Sequence, residues 1–152
     1  MRDHFPVLSM LGMLLMMMAG AMAAPLAVSL HLGDRMADSY IAGMVLTAVA
    51  GGMLWLGLRR HGTEMQPRHG LLLVTLAWVV MPLFAAIPLL LAFHEMGRPL
   101  SFVHAYFETV SGLTTSGGTV ISGLDSLPVS VNFWPVSYTH LRAHDTREDL
   151  VC

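Results

Sequence analysis

Apolar residues run along this chain in three long blocks. No Asp, Glu, Lys or Arg falls from His4 to His31, from Ser39 to Leu58, or from His69 to His94. Each block can hold the roughly 20 residues that carry an α-helix across about 30 Å of hydrocarbon. Buried helices of soluble proteins are usually shorter and keep a polar face. Three such blocks therefore predict membrane-spanning helices, at about Phe5–Leu30, Tyr40–Leu58 and Leu71–Phe93. Pro25 falls near the end of the first. Pro82 and Pro88 lie inside the third and should kink it, because each removes a backbone donor. The first block has a second reading. Arg2, the run from Val7, and Ala19, Gly20, Ala21 and Ala23 before Ala24 look like a cleaved signal peptide. Asp3 weakens the positive start and apolar residues continue from Pro25 to Leu32, which favours an uncleaved helix.

A fourth segment has a different pattern. Ser101 is a candidate N-cap, and Phe102–Leu113 suits a helix of about 18 Å, too short to cross. Ser101, His104, Glu108 and Ser111 recur at spacings of three and four and form one polar stripe, while Phe102, Val103, Tyr106, Phe107 and Val110 are apolar. Glu108 is costly against lipid, so the segment reads as re-entrant and packed inside protein. It gives way to Thr114, Thr115, Ser116, Gly117, Gly118 and Thr119, where β-branched residues and a Gly pair disfavour further helix. Glycine reaches positive φ, which lets successive carbonyls turn to one axis and replace the water shell of a cation. On composition alone, a Gly-Ser-Thr surface turn between two helices is the better explanation, because short Gly/Thr loops are common.

Charge placement orients these elements. Arg35 stands against Asp34 and Asp38 in the first loop, whereas Arg59, Arg60 and Arg68 stand against Glu64 in the second. The positive-inside rule puts the second loop and the N-terminus in the cytoplasm, so the segment after His94 starts outside. The short helix then enters from outside, and its C-terminal partial negative charge faces the loop and favours a cation. Across the chain, 55% of residues are hydrophobic and 12% charged, half the usual share for a soluble domain, and the net charge of −2 argues against a nucleic-acid partner. Cys152 is the only cysteine, so neither an internal disulfide nor a Cys-based zinc site can form.

The run from Phe107 through Glu108, Thr109, Val110, Ser111, Gly112, Leu113, Thr114, Thr115, Ser116, Gly117, Gly118 and Thr119 to Val120, followed by Ser122–Pro128, resembles the first pore loop of the Trk/Ktr potassium transporter superfamily, whose string is close to F-E-T-x-S-G-L-T-T-T-G-A-T-V. Pro67–Val74 and Trp78 resemble the start of the family's first pore-domain helix. The resemblance covers about residues 1–134, and the pore loop is its most specific part. It implies an all-α membrane protein with four helix–pore loop–helix repeats arranged like a tetrameric K⁺ channel. TrkH-like members carry two extra helices first, so 1–66 reads as that pair and 67–134 as the first repeat, truncated before its second helix. By position, Gly117 is similar to the filter glycine, with Thr114, Thr115, Ser116 and Gly118 as its neighbours. K⁺ would lie at Thr115, Ser116 and Gly117, with Glu108 and Ser111 as filter support. Ser116 replaces a usual Thr and Gly118 a usual Ala, which leaves K⁺ versus Na⁺ preference open. The resemblance further implies K⁺ as the transported ion with no organic cofactor. It also implies a multi-pass place in the bacterial inner membrane, a homodimer, and a cytosolic nucleotide-binding (TrkA-like) regulatory partner.

The resemblance stops near Trp134. Residues 135–152 hold Arg142, Arg147, Asp145, Glu148 and Asp149 with His140 and His144, and cannot form a membrane helix. They read as a non-native tail, with a natural polar tail as the alternative. One loop supplies a quarter of a filter, so this stretch alone is expected not to conduct. Other constellations are weaker. His94-Glu95 lacks the second His of a zincin, since position 98 is Arg98. His104 and Glu108 supply only two metal ligands, and a hydrogen-bonded Glu108 bracing the loop is preferred. The thirteen Met residues read as lipid-facing filler. No nucleophile–base pair is visible. The competing functions are a small membrane-anchored protein without transport, and a membrane enzyme built on a His/Glu metal site.

Overall fold

The computed structural model describes residues 5–59 and 67–121, together with Leu127, Pro128, Ser130, Val131 and Trp134. The proposed tail at 135–152, with His140 and His144, lies outside the described residues. Five helices and no strand occur among the described residues: α1 Phe5–Ala21, α2 Ala23–Leu32, α3 Ala37–Leu58, α4 Pro67–Glu95 and α5 Phe102–Leu113. Taken together, α1 and α2 form one span of 28 residues; α3 has 22 and α4 has 29. All three are long and apolar enough to cross a membrane, as the charge-free blocks predict.

The first span is broken within the block that predicts one continuous helix. Pro25 has no N–H for the carbonyl of Ala21, four residues earlier, and the helix is interrupted at Met22. The chain still runs on: Met22 N–H reaches the Met18 carbonyl at 3.1 Å and Leu26 N–H the Met22 carbonyl at 3.3 Å. The next two helices begin earlier than the blocks suggest, at Ala37 rather than Tyr40 and at Pro67 rather than Leu71. Charged Asp38 and Arg68 are accommodated in their first turns, where side chains reach the interface. Pro67 suits a helix start, because the amide it lacks has no helical partner there.

α4 is unbroken through Pro82 and Pro88. Each proline frees the carbonyl four residues back and strains its neighbour. Side chains donate to those neighbours: Tyr106 Oη to Val79 O at 3.3 Å, and Trp134 Nε1 to Ala85 O at 3.0 Å. Thr109 Oγ1 lies 2.9 Å from the Pro82 carbonyl and 2.9 Å from that of Tyr106, a shared donor joining α5 to α4. A prolyl helix in hydrocarbon is thus tied to the segment that follows it.

Small residues set the helix crossings. A Cβ on Gly12 would lie 2.6 Å from the Gly51 carbonyl oxygen, and one on Gly51 would lie 2.7 Å from that of Gly12, so α1 and α3 touch backbone to backbone. A Cβ on Gly43 would meet the Pro88 ring at 2.9 Å, which sets α3 against α4. Gly51→Leu is expected to destabilise the full-length protein by about 1–3 kcal/mol through overpacking. Thermal unfolding in detergent measures this, and an unchanged midpoint would count against the crossing.

Two apolar clusters fill the interior. One joins Met36, just before α3, and Tyr40 of α3 to Leu89, Ala92 and Phe93 of α4, Ala105 of α5, and Ile121, Leu127 and Val131. The other joins Leu15, Met18 and Met22 to Ala85. The outer faces carry exposed Val45, Val49, Met53, Leu71, Val74 and Val79, the surface a lipid-facing helix presents. At the end of α3 the Arg59 guanidinium lies 4.9 Å above the Trp55 ring, a cation–aromatic pair of the kind that anchors helix ends at an interface.

Candidate functional site

α5 turns a mostly polar face inward and a mostly apolar face outward. Its buried residues are Ala105, Glu108, Thr109, Ser111 and Gly112, while Phe102, Val103 and Phe107 are exposed. The single polar stripe expected from spacing is therefore divided: Glu108 and Ser111 turn inward, and Ser101 and His104 face out. Ser101 does occupy the N-cap position with an extended backbone, but its hydroxyl makes no capping bond. Its carbonyl accepts the first helical bond, from Ala105 N–H at 3.0 Å.

The C-terminal end of α5 is closed by a six-residue cap. Ser116 N–H bonds to the Ser111 carbonyl and Thr115 N–H to the Gly112 carbonyl, both at 3.1 Å. This pair of bonds is the Schellman pattern, which needs a left-handed residue where the helix turns off, most often glycine. α4 ends in the same pattern with Gly97 there, at φ 69°. α5 uses Thr115, at φ 54°, although a β-branched side chain disfavours this region by about 1–2 kcal/mol. Gly117 follows at φ 79°. Two left-handed residues with Ser116 between them turn the chain direction sharply.

Beyond the cap, the chain is held by Glu108. Its Oε1 accepts from Thr119 Oγ1 at 2.7 Å, Val120 N–H at 2.6 Å and Ile121 N–H at 3.1 Å. Glu108 is 1% exposed, so the carboxylate gathers the outgoing limb of the loop from inside. Ser111 performs a second, shorter-range task. Its hydroxyl donates to the Gly118 carbonyl at 2.6 Å and lies 3.1 Å from the Ser116 hydroxyl. Gly118 thus has one carbonyl lone pair already engaged, which separates it from Thr115, Ser116 and Gly117 among the five loop residues singled out in the sequence. Thr114 Oγ1 donates back to the Val110 carbonyl at 2.8 Å.

The Gly118 departure fits this packing. A Cβ there would sit 3.3 Å from the edge of the Phe107 ring and 3.7 Å from Ser111 Oγ. Phe107 is half exposed and can shift, so Gly118→Ala is expected to be tolerated. It should stabilise the full-length protein by up to about 1 kcal/mol through a stiffer unfolded chain. Thermal unfolding measures it, and a clear loss would show that the loop depends on glycine at this position.

Three further features bear on chemistry. Among the described residues no three His, Cys, Asp or Glu side chains gather as a metal site requires. An apolar cavity of about 490 Å³ lies beside the end of α5, lined by Leu14, Met17, Met81, Leu113, Thr115 and Trp134 among others. Its wall has few oxygens to replace an ion's water. Sequence reasoning missed Thr109, Asp34 and Tyr40. Asp34 Oδ2 accepts from Ser130 N–H at 3.3 Å, and Tyr40 Oη donates to the Ser130 carbonyl at 2.8 Å. No local pattern signals contacts that span 96 and 90 residues of chain.

The three apolar spans and the inward-polar short helix define a multi-pass all-α membrane protein with a re-entrant type of segment. Residues 37–144 match the model of the TrkH family, described as a cation transport protein. The chain is 37% identical over 128 residues to the Trk system potassium uptake protein TrkH of Halomonas elongata, covering 84% of this chain and 26% of that protein. It is 34% identical over 132 residues to TrkH of Escherichia coli, covering 86% and 27%. The crystal structure of the potassium transporter TrkH from Vibrio parahaemolyticus superimposes with a TM-score of 0.77 at 34% identity, over 88% of this chain and 27% of that one. The chain belongs to the TrkH family. It spans about a quarter of the length of the relatives it matches.

Proposed function

We propose that this chain supplies the first of the filter loops of a potassium uptake subunit in the bacterial inner membrane. Residues 1–66 form the extra helix pair and 67–134 the opening of the first pore repeat. The observation that carries the reading is the bracing of one short loop from two sides. A helix cap fixes its start and the buried Glu108 carboxylate fixes its exit. Such a loop keeps its backbone oxygens at set distances without an ion to organise them, and pre-set oxygens are what a dehydrated cation needs. The carbonyls of Thr115, Ser116 and Gly117 form the K⁺-binding part, with Thr114 and Gly118 flanking it and Glu108 and Ser111 supporting it. The negative end of α5 adds to the attraction.

Arginine placement puts the N-terminus and the loop around Arg60 in the cytoplasm and residue 100 outside. One loop makes a quarter of the filter, so conduction belongs to the full-length protein, as a homodimer with a cytosolic nucleotide-binding subunit. The test is K⁺ flux through the full-length protein reconstituted in vesicles, with a cysteine at position 100 probed by a membrane-impermeant maleimide. Flux that follows the K⁺ gradient, with labelling from outside, supports the reading. Absence of flux, or labelling only from the cytoplasmic side, overturns it.

A further inference from the structure

The chain beyond the filter loop meets the helix pair that precedes the pore repeat at Ser130. The turn between α2 and α3 contains two residues with positive φ, Gly33 at 66° and Arg35 at 63°, with Asp34 between them. This sharp turn lifts the Asp34 carboxylate out of the helix line. The Ser29 hydroxyl and Met36 N–H both donate to Oδ1, the latter at 3.2 Å, and fix the rotamer. The other oxygen, Oδ2, is left to take the N–H of Ser130. Tyr40, one turn into α3 and 1% exposed, donates to the carbonyl of the same residue. The backbone donor and acceptor of Ser130 are therefore both occupied, by side chains of the α2–α3 turn and of the first turn of α3. Two such bonds of opposite sense fix a chain segment in rotation as well as in position. Met36 and Tyr40 also pack in the same apolar cluster as Ile121, Leu127 and Val131.

Ser130 lies nine residues beyond Ile121, the last point that Glu108 holds. We infer that Asp34 and Tyr40 are positioning residues for the filter: by gripping Ser130, they set the outgoing limb of the loop and hence the spacing of its carbonyls. The inference rests on the filter reading above. Partial burial pushes the Asp34 pKa up, but the hydrogen bonds from Ser130, Ser29 and Met36 outweigh this and hold it below the usual carboxylate value. The carboxylate is charged at neutral pH and its three bonds are charge-assisted.

The experiment compares Tyr40→Phe, Asp34→Ala and Gly117→Val in the full-length protein, reading the Rb⁺-to-Na⁺ flux ratio in vesicles and the thermal midpoint of each. Tyr40→Phe deletes one oxygen from a packed ring and is the variant least able to unfold the protein. It is expected to change the flux ratio about threefold or more, the scale of one net hydrogen bond, with its midpoint close to that of the parent. Asp34→Ala should change it further. A fall in folded protein with an unaltered flux ratio in what remains would mark Asp34 and Tyr40 as merely structural and overturn the inference. An unaltered ratio in Tyr40→Phe beside an altered one in Gly117→Val overturns it and leaves the filter reading standing. An unaltered ratio in both removes the filter reading itself. Should Asp34→Ala fail to fold, Tyr40→Phe decides alone.

Discussion

Gly117→Val in the full-length protein is expected to lower K⁺ flux by at least about tenfold and to remove discrimination between K⁺ and Na⁺. The glycine stands at φ 79°, where a β-branched residue is a steric outlier. Valine there adds about 1–2 kcal/mol of backbone strain, which is about a tenfold change in a population. The loop already carries Thr115 in the same region two residues earlier, so the second strained position is not absorbed as the first is. The cap bonds of Thr115 and Ser116 lie upstream and the Glu108 bonds downstream, and between them the chain relieves the strain by turning a carbonyl away. Flux in vesicles and growth under K⁺ limitation measure the result. Wild-type growth with wild-type ion preference would remove the ion-binding role from this loop.

Glu108→Ala should be the most damaging change in α5, and Glu108→Gln far milder. All three loop donors meet one oxygen, Oε1. Glutamine keeps one acceptor oxygen of the same reach for these donors, losing the charge and exchanging the second oxygen for an NH2 group. Alanine removes the shared acceptor of the Thr119 hydroxyl and the Val120 amide, while the Ile121 amide keeps only Thr119 Oγ1 at 3.1 Å, so each lost bond costs about 1 kcal/mol and the outgoing limb loses its anchor. The expected order of K⁺ flux is parent, then Gln, then Ala, with the Ala variant near background. Equal flux for Gln and Ala would mean that the loop finds other partners, and the bracing role would be lost.

Much of this arrangement can be read from the residues. Charge-free blocks are long because hydrocarbon tolerates few charges, so the three spans were legible. Their ends were less so. Asp38 and Arg68 look like stops by charge, yet first-turn side chains reach the interface and the helices start before them. Pro25 was visible, but its effect lies four residues earlier, at the carbonyl of Ala21, which is why the break falls at Met22. The inward turn of Glu108 and Ser111 follows from their spacing with the loop's start. The outward turn of Ser101 and His104 depends on how α5 is rotated against α4 by Thr109 and Tyr106, and spacing alone does not carry that. The grip of Asp34 and Tyr40 on Ser130 is wholly a product of the folded chain.

The reversed polarity of α5 has a consequence for biogenesis. A segment whose interior face holds a carboxylate and whose exterior is phenylalanine and valine does not partition into lipid unaided, since Glu108 would meet hydrocarbon before Val120 and Ile121 reached it. The longer helices are apolar enough to insert on their own, and the short one is expected to enter afterwards, into a site they have built. Insertion of α5 and closure of its loop are then a single cooperative event. A nascent chain released before residue 121 would leave the segment stranded at the membrane surface.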